Sequence, residues 1–344
     1  MDSSINCPVG HSGISRVLHG WVGCIWPAVF LVYRVTVDSC FRCPRPDNGV
    51  SVRQTTIAHP GEDIMADPES YEVFALCYAV RTNRKHHENF IGSTWTDPMH
   101  DQEEPIAYYV WVLKNANRTV LVDTGFDKAE WSRRTESSGG IWQCEYDQSP
   151  AKGLAGMGVD TRFVQDVIVT HLHYDHAGSL NDFPAARFHL QELEMQYATG
   201  PHMGHGYFAG AYTVDHVLDM VRNVYKGRVV FHAGDSEIAP GISVHHVGGH
   251  TMGMQCGKVM TARCSVVLAS DASHFYANFE DNAPFPIVYN VADMLKGFDT
   301  LRKLASTDDH IVPGHDPLVM VRYPGAKNPG IGQIVRLDQS PRSL

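Results

Sequence analysis

Metal-binding side chains crowd one short stretch of the chain, directly after an apolar run: Thr170-His171-Leu172-His173-Tyr174-Asp175-His176-Ala177-Gly178. Three histidines and one aspartate occupy six consecutive positions, and zinc-like ions bind such side chains at about 2.0–2.2 Å. Alternate residues leave a strand on the same face, so His171 and His173 can bind one ion. Asp175 and His176 lie beyond the turn, where they can face a second ion.

Three further candidate ligands, His250, Asp271 and His315, each follow an apolar run with strand character. The arrangement of strand followed by ligand therefore occurs four times along the chain. If those strand ends meet at one edge of the fold, five histidines and two aspartates converge. Such a cluster predicts two divalent metal ions, with zinc expected, although histidine and aspartate also suit iron, manganese and cobalt.

The rest of the chain from residue 65 alternates short apolar strands with loops and two helices. Runs rich in β-branched and aromatic residues, bounded by Asn, Gly or Pro, indicate strands, whereas apolar residues at helical spacing indicate helices. Two groups of strands with helices outside them predict a four-layer αβ/βα sandwich of the α+β class. The predicted strands are 71–80, 107–113, 119–122, 167–170, 229–231, 242–247, 265–269 and 310–312, and the predicted helices are 191–198 and 291–305.

Composition and charge argue against a nucleic-acid partner. With 28 basic and 38 acidic residues in 344, the chain carries a formal charge of −10 and no run of Lys and Arg that could bind phosphates. We therefore expect no nucleic-acid partner and a small-molecule substrate.

The eight cysteines are dispersed rather than spaced like a disulfide scaffold, which favours a reducing compartment. Cys40 and Cys43 form a lone CxxC without a second half, typical of an incidental pair.

Residues 1–64 differ from the remainder. The apolar segment Val17 to Tyr33 is barely long enough to span a bilayer and contains two glycines and a proline. Turn-forming residues follow it without periodicity. We interpret 1–64 as a poorly ordered or dispensable extension and 65–344 as one metallo-hydrolase domain, and we expect a cytoplasmic protein rather than a membrane-anchored one. The sequence leaves the oligomeric state open.

The ligand motifs resemble those of a known superfamily. His171-Leu172-His173-Tyr174-Asp175-His176, Gly249-His250-Thr251, Ser270-Asp271 and Gly314-His315 match, in order, the metal motifs of the metallo-β-lactamase superfamily, and Leu121-Val122-Asp123-Thr124-Gly125 resembles its early strand-turn signature. The resemblance implies that His171, His173 and His250 hold one metal. It assigns Asp175, His176 and His315 to the other metal, makes Asp271 the bridge, and gives Asp123 a structural role beneath the site.

Within the superfamily the chain is most similar to the N-acyl homoserine lactonase group, which opens small lactone rings with a dinuclear zinc centre. Members of that group usually carry a tyrosine three positions after the bridging aspartate. This chain has His274 there and Tyr276 two positions later. Relatives of the group also hydrolyse cyclic carbamates and lactams, including benzoxazolinone, so a lactone and a lactam remain equal candidates. The corresponding roles would be quorum quenching and detoxification.

The expected chemistry is the same for both substrates. A metal lowers the pKa of bound water from about 15.7 to about 7, so a hydroxide can attack the carbonyl at neutral pH. Asp175 is the candidate proton shuttle, and His274 and Tyr276 are candidates for stabilising the oxyanion. Loop and aromatic residues are expected to line the pocket: Met203, Tyr207, Phe208, Tyr212, Phe279, Phe285 and Tyr289.

Other functions predict features that the sequence does not show. A glyoxalase II-type thioesterase should add a basic helical domain, for which the segment after His315 is too short. An RNA-processing nuclease should be basic, and a diiron oxidoreductase should have a glutamate in place of His173. A mononuclear iron dioxygenase shares the ligands and stays an alternative that metal analysis would separate. A binding module without activity predicts loss of ligands, and all seven are present.

Overall fold

The computed structural model describes residues 69–325 and 333–342, which lie within one compact unit, Ile64–Leu344. Predictions for residues 1–64, including the apolar segment and the CxxC pair, fall outside these residues. Over the described ranges, no helix combines the length and apolar character needed to cross a bilayer. The four cysteines within them, Cys77, Cys144, Cys256 and Cys264, form no disulfide.

The first sheet has eight strands, and its spine runs β13-β1-β2-β3-β5-β6-β7, with β4 paired to β1. The pairings from β13 to β3 are antiparallel, and those from β3 to β7 are parallel. The strands are β1 (Glu72–Arg81), β2 (Ile106–Lys114), β3 (Thr119–Val122), β4 (Cys144–Tyr146), β5 (Asp166–Ile168), β6 (Arg187–Gln191), β7 (Val229–His232) and β13 (Gln333–Arg336).

The second sheet has five strands in the order β12-β11-β10-β9-β8, antiparallel except where β12 joins β11. Its strands are β8 (Ser236–Ala239), β9 (Ile242–His246), β10 (Gln255–Thr261), β11 (Cys264–Ser270) and β12 (Ile311–Pro313). The helices are α1 (Lys128–Ser137), α2 (Pro150–Gly156), α3 (Tyr174–Ala177), α4 (Glu192–Ala198), α5 (Gly206–Ala209), α6 (Val214–Tyr225), α7 (Tyr276–Glu280), α8 (Val291–Leu304) and α9 (Leu318–Arg322).

Two hydrophobic cores hold four layers together. Successive side chains of a strand point to opposite faces, so β2 sends Tyr109 and Trp111 into a core shared with the second sheet and α8. The same strand sends Tyr108 and Val110 into a core shared with α2, α4 and α6. The predicted αβ/βα sandwich is confirmed.

Both predicted helices and all eight predicted strands are present, with ends that differ by up to two residues. β1, β2 and β3 pair with antiparallel neighbours. Five strands escaped prediction: β4, β6, β8, β10 and β13. In β10 the residues Gly257 and Lys258 interrupt the apolar run, and β6 is a five-residue strand containing Arg187 and His189.

The topology brings the ligand-bearing loops to one edge. Asp123 follows the end of β3, and the histidine-rich stretch follows the end of the adjacent parallel strand β5. His250 lies in the turn between β9 and β10, whereas Asp271 and His315 follow the ends of β11 and β12. Parallel neighbours end at the same edge of a sheet, so Asp271 after β11 and His315 after β12 lie side by side.

Candidate metal centre

Three histidines form the first ligand set: His171, His173 and His250. The Nε2 atom of His250 lies 3.2 Å from Nε2 of His171 and 2.9 Å from Nδ1 of His173. All three side chains are buried. Oδ2 of Asp271 faces this set, 3.3 Å from Nε2 of His250 and 3.8 Å from Nε2 of His171.

The second ligand set comprises Asp175, His176 and His315. Oδ2 of Asp175 lies 3.6 Å from Nε2 of His176 and 3.5 Å from Nε2 of His315. Oδ1 of Asp271 faces the same two nitrogens, at 3.2 Å and 3.1 Å. Asp271 therefore presents one carboxylate oxygen to each set, which is the placement expected of a bridging ligand.

The donor set fits two divalent cations. Nitrogen and oxygen atoms of the two sets converge, and His176 Nε2 and Asp271 Oδ1 are buried without a hydrogen bond. Such groups are costly to bury unpaired, and a cation coordinated by both sets would satisfy them. Five imidazoles and two carboxylates suit zinc and the other first-row divalent metals.

The ionisation of the two sets differs. Burial lowers the pKa of His171 and His173 well below the ordinary value and that of His250 to about 4, so these imidazoles are neutral and can coordinate. Burial acts the same way on His176, but the carboxylates of Asp271, Asp175 and Asp123 outweigh it and raise the pKa of this histidine. A metal in the second set must therefore displace a proton.

Asp123 orders the second set from behind. Its Oδ2 accepts a hydrogen bond from Nδ1 of His176 at 2.7 Å, which leaves Nε2 of that ring facing the centre. Both carboxylate oxygens also bind Thr170, at 2.8 Å to the backbone N–H and 2.9 Å to the hydroxyl. Asp123 adopts a left-handed conformation with φ of 63°, which aspartate tolerates better than most residues. It has the structural position that the resemblance implies.

His274 contacts the carboxylate of Asp271, which faces both ligand sets. Its Nε2 lies 2.9 Å from Oδ2 of Asp271, and its ring stacks on Phe285 with centroids 3.7 Å apart. Burial lowers the pKa of His274 well below its usual value, so the ring is neutral at pH 7. A neutral imidazole has a single N–H, which Asp271 receives; Nδ1 is then an acceptor, buried and without a partner. In this arrangement the N–H of a neutral His274 is engaged by Asp271, and the role of His274 in stabilising an oxyanion stays a prediction.

Tyr276, the other candidate for oxyanion stabilisation, has a different environment. Its ring lies beneath the Arg322 guanidinium, 4.4 Å from the centroid, and beside Phe279 in the core between the sheets. Its backbone N–H donates to Asp316, and its hydroxyl is buried without a partner. This placement gives Tyr276 a packing position and leaves His274 as the candidate that touches the ligand cluster.

Aromatic side chains flank the first ligand set. The Tyr212 ring meets His173 edge-on with centroids 4.6 Å apart, and Phe285 lies 5.5 Å from His250. Tyr289 donates its backbone N–H to the carbonyl oxygens of Gly249 and His250. Three of the residues expected to line the pocket thus adjoin the cluster: Tyr212, Phe285 and Tyr289. Phe208 and exposed Tyr207 extend the aromatic group around Tyr289. Met203 packs against the outer core and Phe279 belongs to the core between the sheets.

Comparison with known proteins agrees with this geometry. The model of the metallo-beta-lactamase superfamily matches residues 104–315, which span all seven ligands. The chain belongs to the metallo-beta-lactamase superfamily. Since its relatives include lactonases, the protein is a metal-dependent hydrolase.

Two curated proteins similar to this chain are N-acyl homoserine lactonases. The chain is 29% identical over 184 residues to an N-acyl homoserine lactonase of Bacillus cereus, covering 52% of this chain and 68% of that protein. It is 25% identical over 226 residues to the N-acyl homoserine lactonase AttM of Rhizobium johnstonii, covering 63% and 84%.

Solved structures show the same superfamily fold. A quorum-quenching N-acyl homoserine lactone lactonase aligns with a TM-score of 0.59 at 21% identity, over 73% of this chain and 94% of the other. AidC, a dizinc quorum-quenching lactonase, aligns with a TM-score of 0.56 at 15% identity, over 81% and 99%. At these identities the likeness concerns the fold.

Sequence reasoning missed two residues behind the ligands. Thr170 links Asp123, the ring of His171 and the hydroxyl of Ser270. Glu194 accepts hydrogen bonds from both loops that carry the first ligand set. The threonine could have been noticed because it opens the histidine-rich stretch. The glutamate carries a weaker signal, an acid on the buried side of a short helix.

Proposed function

We propose that the protein opens a small cyclic ester at a dinuclear zinc centre built from the seven ligands. The observation that carries the proposal is the placement of Asp271, whose two oxygens face two separate ligand sets. A single metal would need only one set. The lactonase relatives support a lactone as the substrate.

In this proposal His171, His173 and His250 hold one metal, and Asp175, His176 and His315 hold the other. When bound, such ions lower the pKa of a coordinated water to about 7 and polarise the scissile carbonyl. The chain itself contributes the orientation of the ligands, because Asp123 fixes the ring of His176. The carbonyl oxygen of Ala107 fixes the ring of His315 by accepting from Nδ1 at 2.7 Å.

Asp175 is the proposed proton shuttle. It is the most exposed of the seven ligands, at 8%, whereas Asp271 is at 3%. Its Oδ2 faces His176 and His315, which leaves Oδ1 to accept a proton from the attacking water and pass it to the leaving atom. General acid and base catalysis of this kind contributes about 10²- to 10⁴-fold.

A second candidate substrate, a cyclic amide or carbamate such as benzoxazolinone, is favoured by His274. Its unpartnered Nδ1 is an acceptor, and an unsubstituted lactam or cyclic carbamate carries a ring N–H that an ester ring lacks. In this proposal His274 orients the bridging carboxylate through Nε2 and receives the substrate N–H at Nδ1. A lactone ring has no N–H to offer Nδ1, and a buried acceptor left unpaired lowers affinity.

The test is ring opening by the zinc-loaded full chain, with an N-acyl homoserine lactone and benzoxazolinone assayed side by side. Turnover of the lactone supports a quorum-quenching role, and turnover of benzoxazolinone supports detoxification. The control is His173→Ala, which removes a direct ligand and should lower either rate by more than the about 10- to 100-fold typical of residues behind the ligands. Turnover of neither ring by protein that holds two metals would contradict the proposed substrate class.

A further inference from the structure

Glu194 is a fully buried carboxylate, and among the described residues no Lys, Arg or His forms a salt bridge with it. It lies on α4 and accepts four hydrogen bonds. The donors to Oε1 are the backbone N–H of Leu172 and the hydroxyl of Tyr212, each at 2.9 Å. The donors to Oε2 are the hydroxyl of Thr251 at 2.5 Å and the backbone N–H of Gly253 at 3.2 Å. A buried carboxylate is tolerated when its lone pairs are satisfied in this way.

All four donors belong to segments that position the first ligand set. Leu172 lies between His171 and His173, and Thr251 directly follows His250. Gly253 continues the loop of His250, and the Tyr212 ring packs against His173. None of the four adjoins a member of the second set, whose ring of His176 is fixed by Asp123 instead. Each set therefore has its own buried carboxylate behind it.

The loop that carries His250 packs so closely on α4 that neither segment can shift easily. A Cβ atom added at Gly253 would lie 2.1 Å from the backbone nitrogen of Glu194 and 2.5 Å from its Cα. The loop that carries His250 is thus packed directly on the first turn of α4. Removing the Glu194 carboxylate would leave four buried donors without an acceptor, and the two loops could satisfy them only by moving.

We propose that Glu194 is a positioning residue that sets the metal affinity of the first ligand set without coordinating the metal. It joins the loop of His171 and His173 to the loop of His250, so that three nitrogens supplied by two segments meet at one point. The inference rests on the two-metal centre proposed above. Residues behind metal ligands typically change affinity by about 10- to 100-fold.

The test compares metal binding by the metal-stripped full chain and its variants in competition with a zinc chelator. Glu194→Gln keeps the shape of the side chain and removes its charge and one acceptor. We expect two zinc equivalents in the unmodified protein, and in E194Q one of them weakened by about 10- to 100-fold. The matched control is Glu192→Gln, on the exposed side of the same helix, which should bind both equivalents as the unmodified chain does.

Combining E194Q with His173→Ala shows whether the weakened zinc equivalent belongs to the first ligand set. This variant lacks a ligand of the first set, so adding E194Q should leave the affinity of the remaining metal unchanged. Tyr212→Phe removes one of the four donors and keeps the carboxylate, so it should weaken the same equivalent less than E194Q does. Because Tyr212→Phe is a mild change, it keeps the test decisive if E194Q folds poorly.

Unchanged affinities in E194Q, or an equal loss at both equivalents, would overturn the proposal, and so would unchanged binding by Tyr212→Phe. A further loss of the remaining metal in the double variant would also overturn it, because the effect would then reach the second set. Failure of the unmodified chain to bind two metals would contradict the two-metal centre itself, and the role of Glu194 with it.

Discussion

At the scale of single residues, the ligands and their supports have different origins in the sequence. His171, His173, Asp175 and His176 could be predicted because metal-binding side chains crowd a single turn. Asp123 was expected beneath the site from the resemblance, whereas Glu194 could not be predicted, since it binds backbone N–H groups and hydroxyls that no residue pattern reveals. Tyr276 was expected near the carbonyl, but the packing of α7 against Arg322 determines where its ring lies.

His274 supplies a prediction at this scale. Phenylalanine in its place would keep the stacking on Phe285 and remove both nitrogens, so the bridging carboxylate would lose a donor. We expect kcat for ring opening to fall by about 10- to 100-fold in His274→Phe, with metal content unchanged. Steady-state kinetics with metal analysis measures both quantities.

The matched variant is His274→Tyr, which introduces the residue that the lactonase group usually carries. A tyrosine hydroxyl can donate to a carbonyl, so this variant should open a cyclic ester faster than His274→Phe. It should not recover cyclic amide turnover if Nδ1 of His274 receives the ring N–H. Wild-type rates in His274→Phe would refute any role of the ring in the reaction.

At the scale of elements, the strands that end at the site were the easiest to predict. β3, β5, β11 and β12 contain continuous apolar runs because they are buried in the cores, and β9 alternates buried Ile242 and Val244 with polar residues. β10 escaped prediction because its polar and small residues pack between neighbours rather than forming an apolar run. α6 was not predicted, although its apolar residues at 214, 217, 218 and 221 have helical spacing.

The turn before His250 allows a second prediction. Gly249 has φ of +84°, and a Cβ atom there would lie 2.4 Å from Cα and 2.5 Å from the backbone nitrogen of Met294 in α8. Gly249→Ala should therefore add an overpacking cost of about 1–3 kcal/mol to the strain of a left-handed alanine, about 1–2 kcal/mol. Urea unfolding measures the change in the free energy of unfolding.

The matched control for this turn is Gly227→Ala. Gly227 has φ of +67° with no atom within 4 Å of an added Cβ, so only the backbone strain applies. We expect Gly249→Ala to be the less stable of the two variants and to bind zinc more weakly, since the turn places His250. Equal stability and equal zinc binding in both variants would show that contact with α8 does not position the loop.

At the scale of the whole molecule, the centre joins the two sheets. Asp123 and the histidine-rich stretch come from the first sheet, and His250, Asp271 and His315 come from the second. The sandwich followed from the motif and from the grouping of strands, but strand order in the first sheet did not. The pairing of β13 with β1, for example, joins Phe74 to Arg336 across most of the chain, and local patterns carry no information on such pairings.

Because ligands from both sheets meet, metal binding should stabilise the folded state. A ligand that binds only the folded protein adds about 2.7 kcal/mol at a concentration 100 times its Kd. We expect the chelator-stripped chain to unfold at a lower temperature than the zinc-loaded chain, and added zinc to restore Tm. His173→Ala should show a smaller zinc-dependent shift, and an equal shift in both proteins would place the stabilising metal elsewhere.

The most direct test of the account is a metal titration of activity. The metal-stripped full chain receives zinc in steps, and ring opening of an N-acyl homoserine lactone and of benzoxazolinone is measured at each step together with bound zinc. A centre bridged by Asp271 predicts no turnover without metal and a rate that saturates at two bound ions per chain. Full activity in the stripped chain, or saturation at one ion, would contradict a two-metal hydrolase.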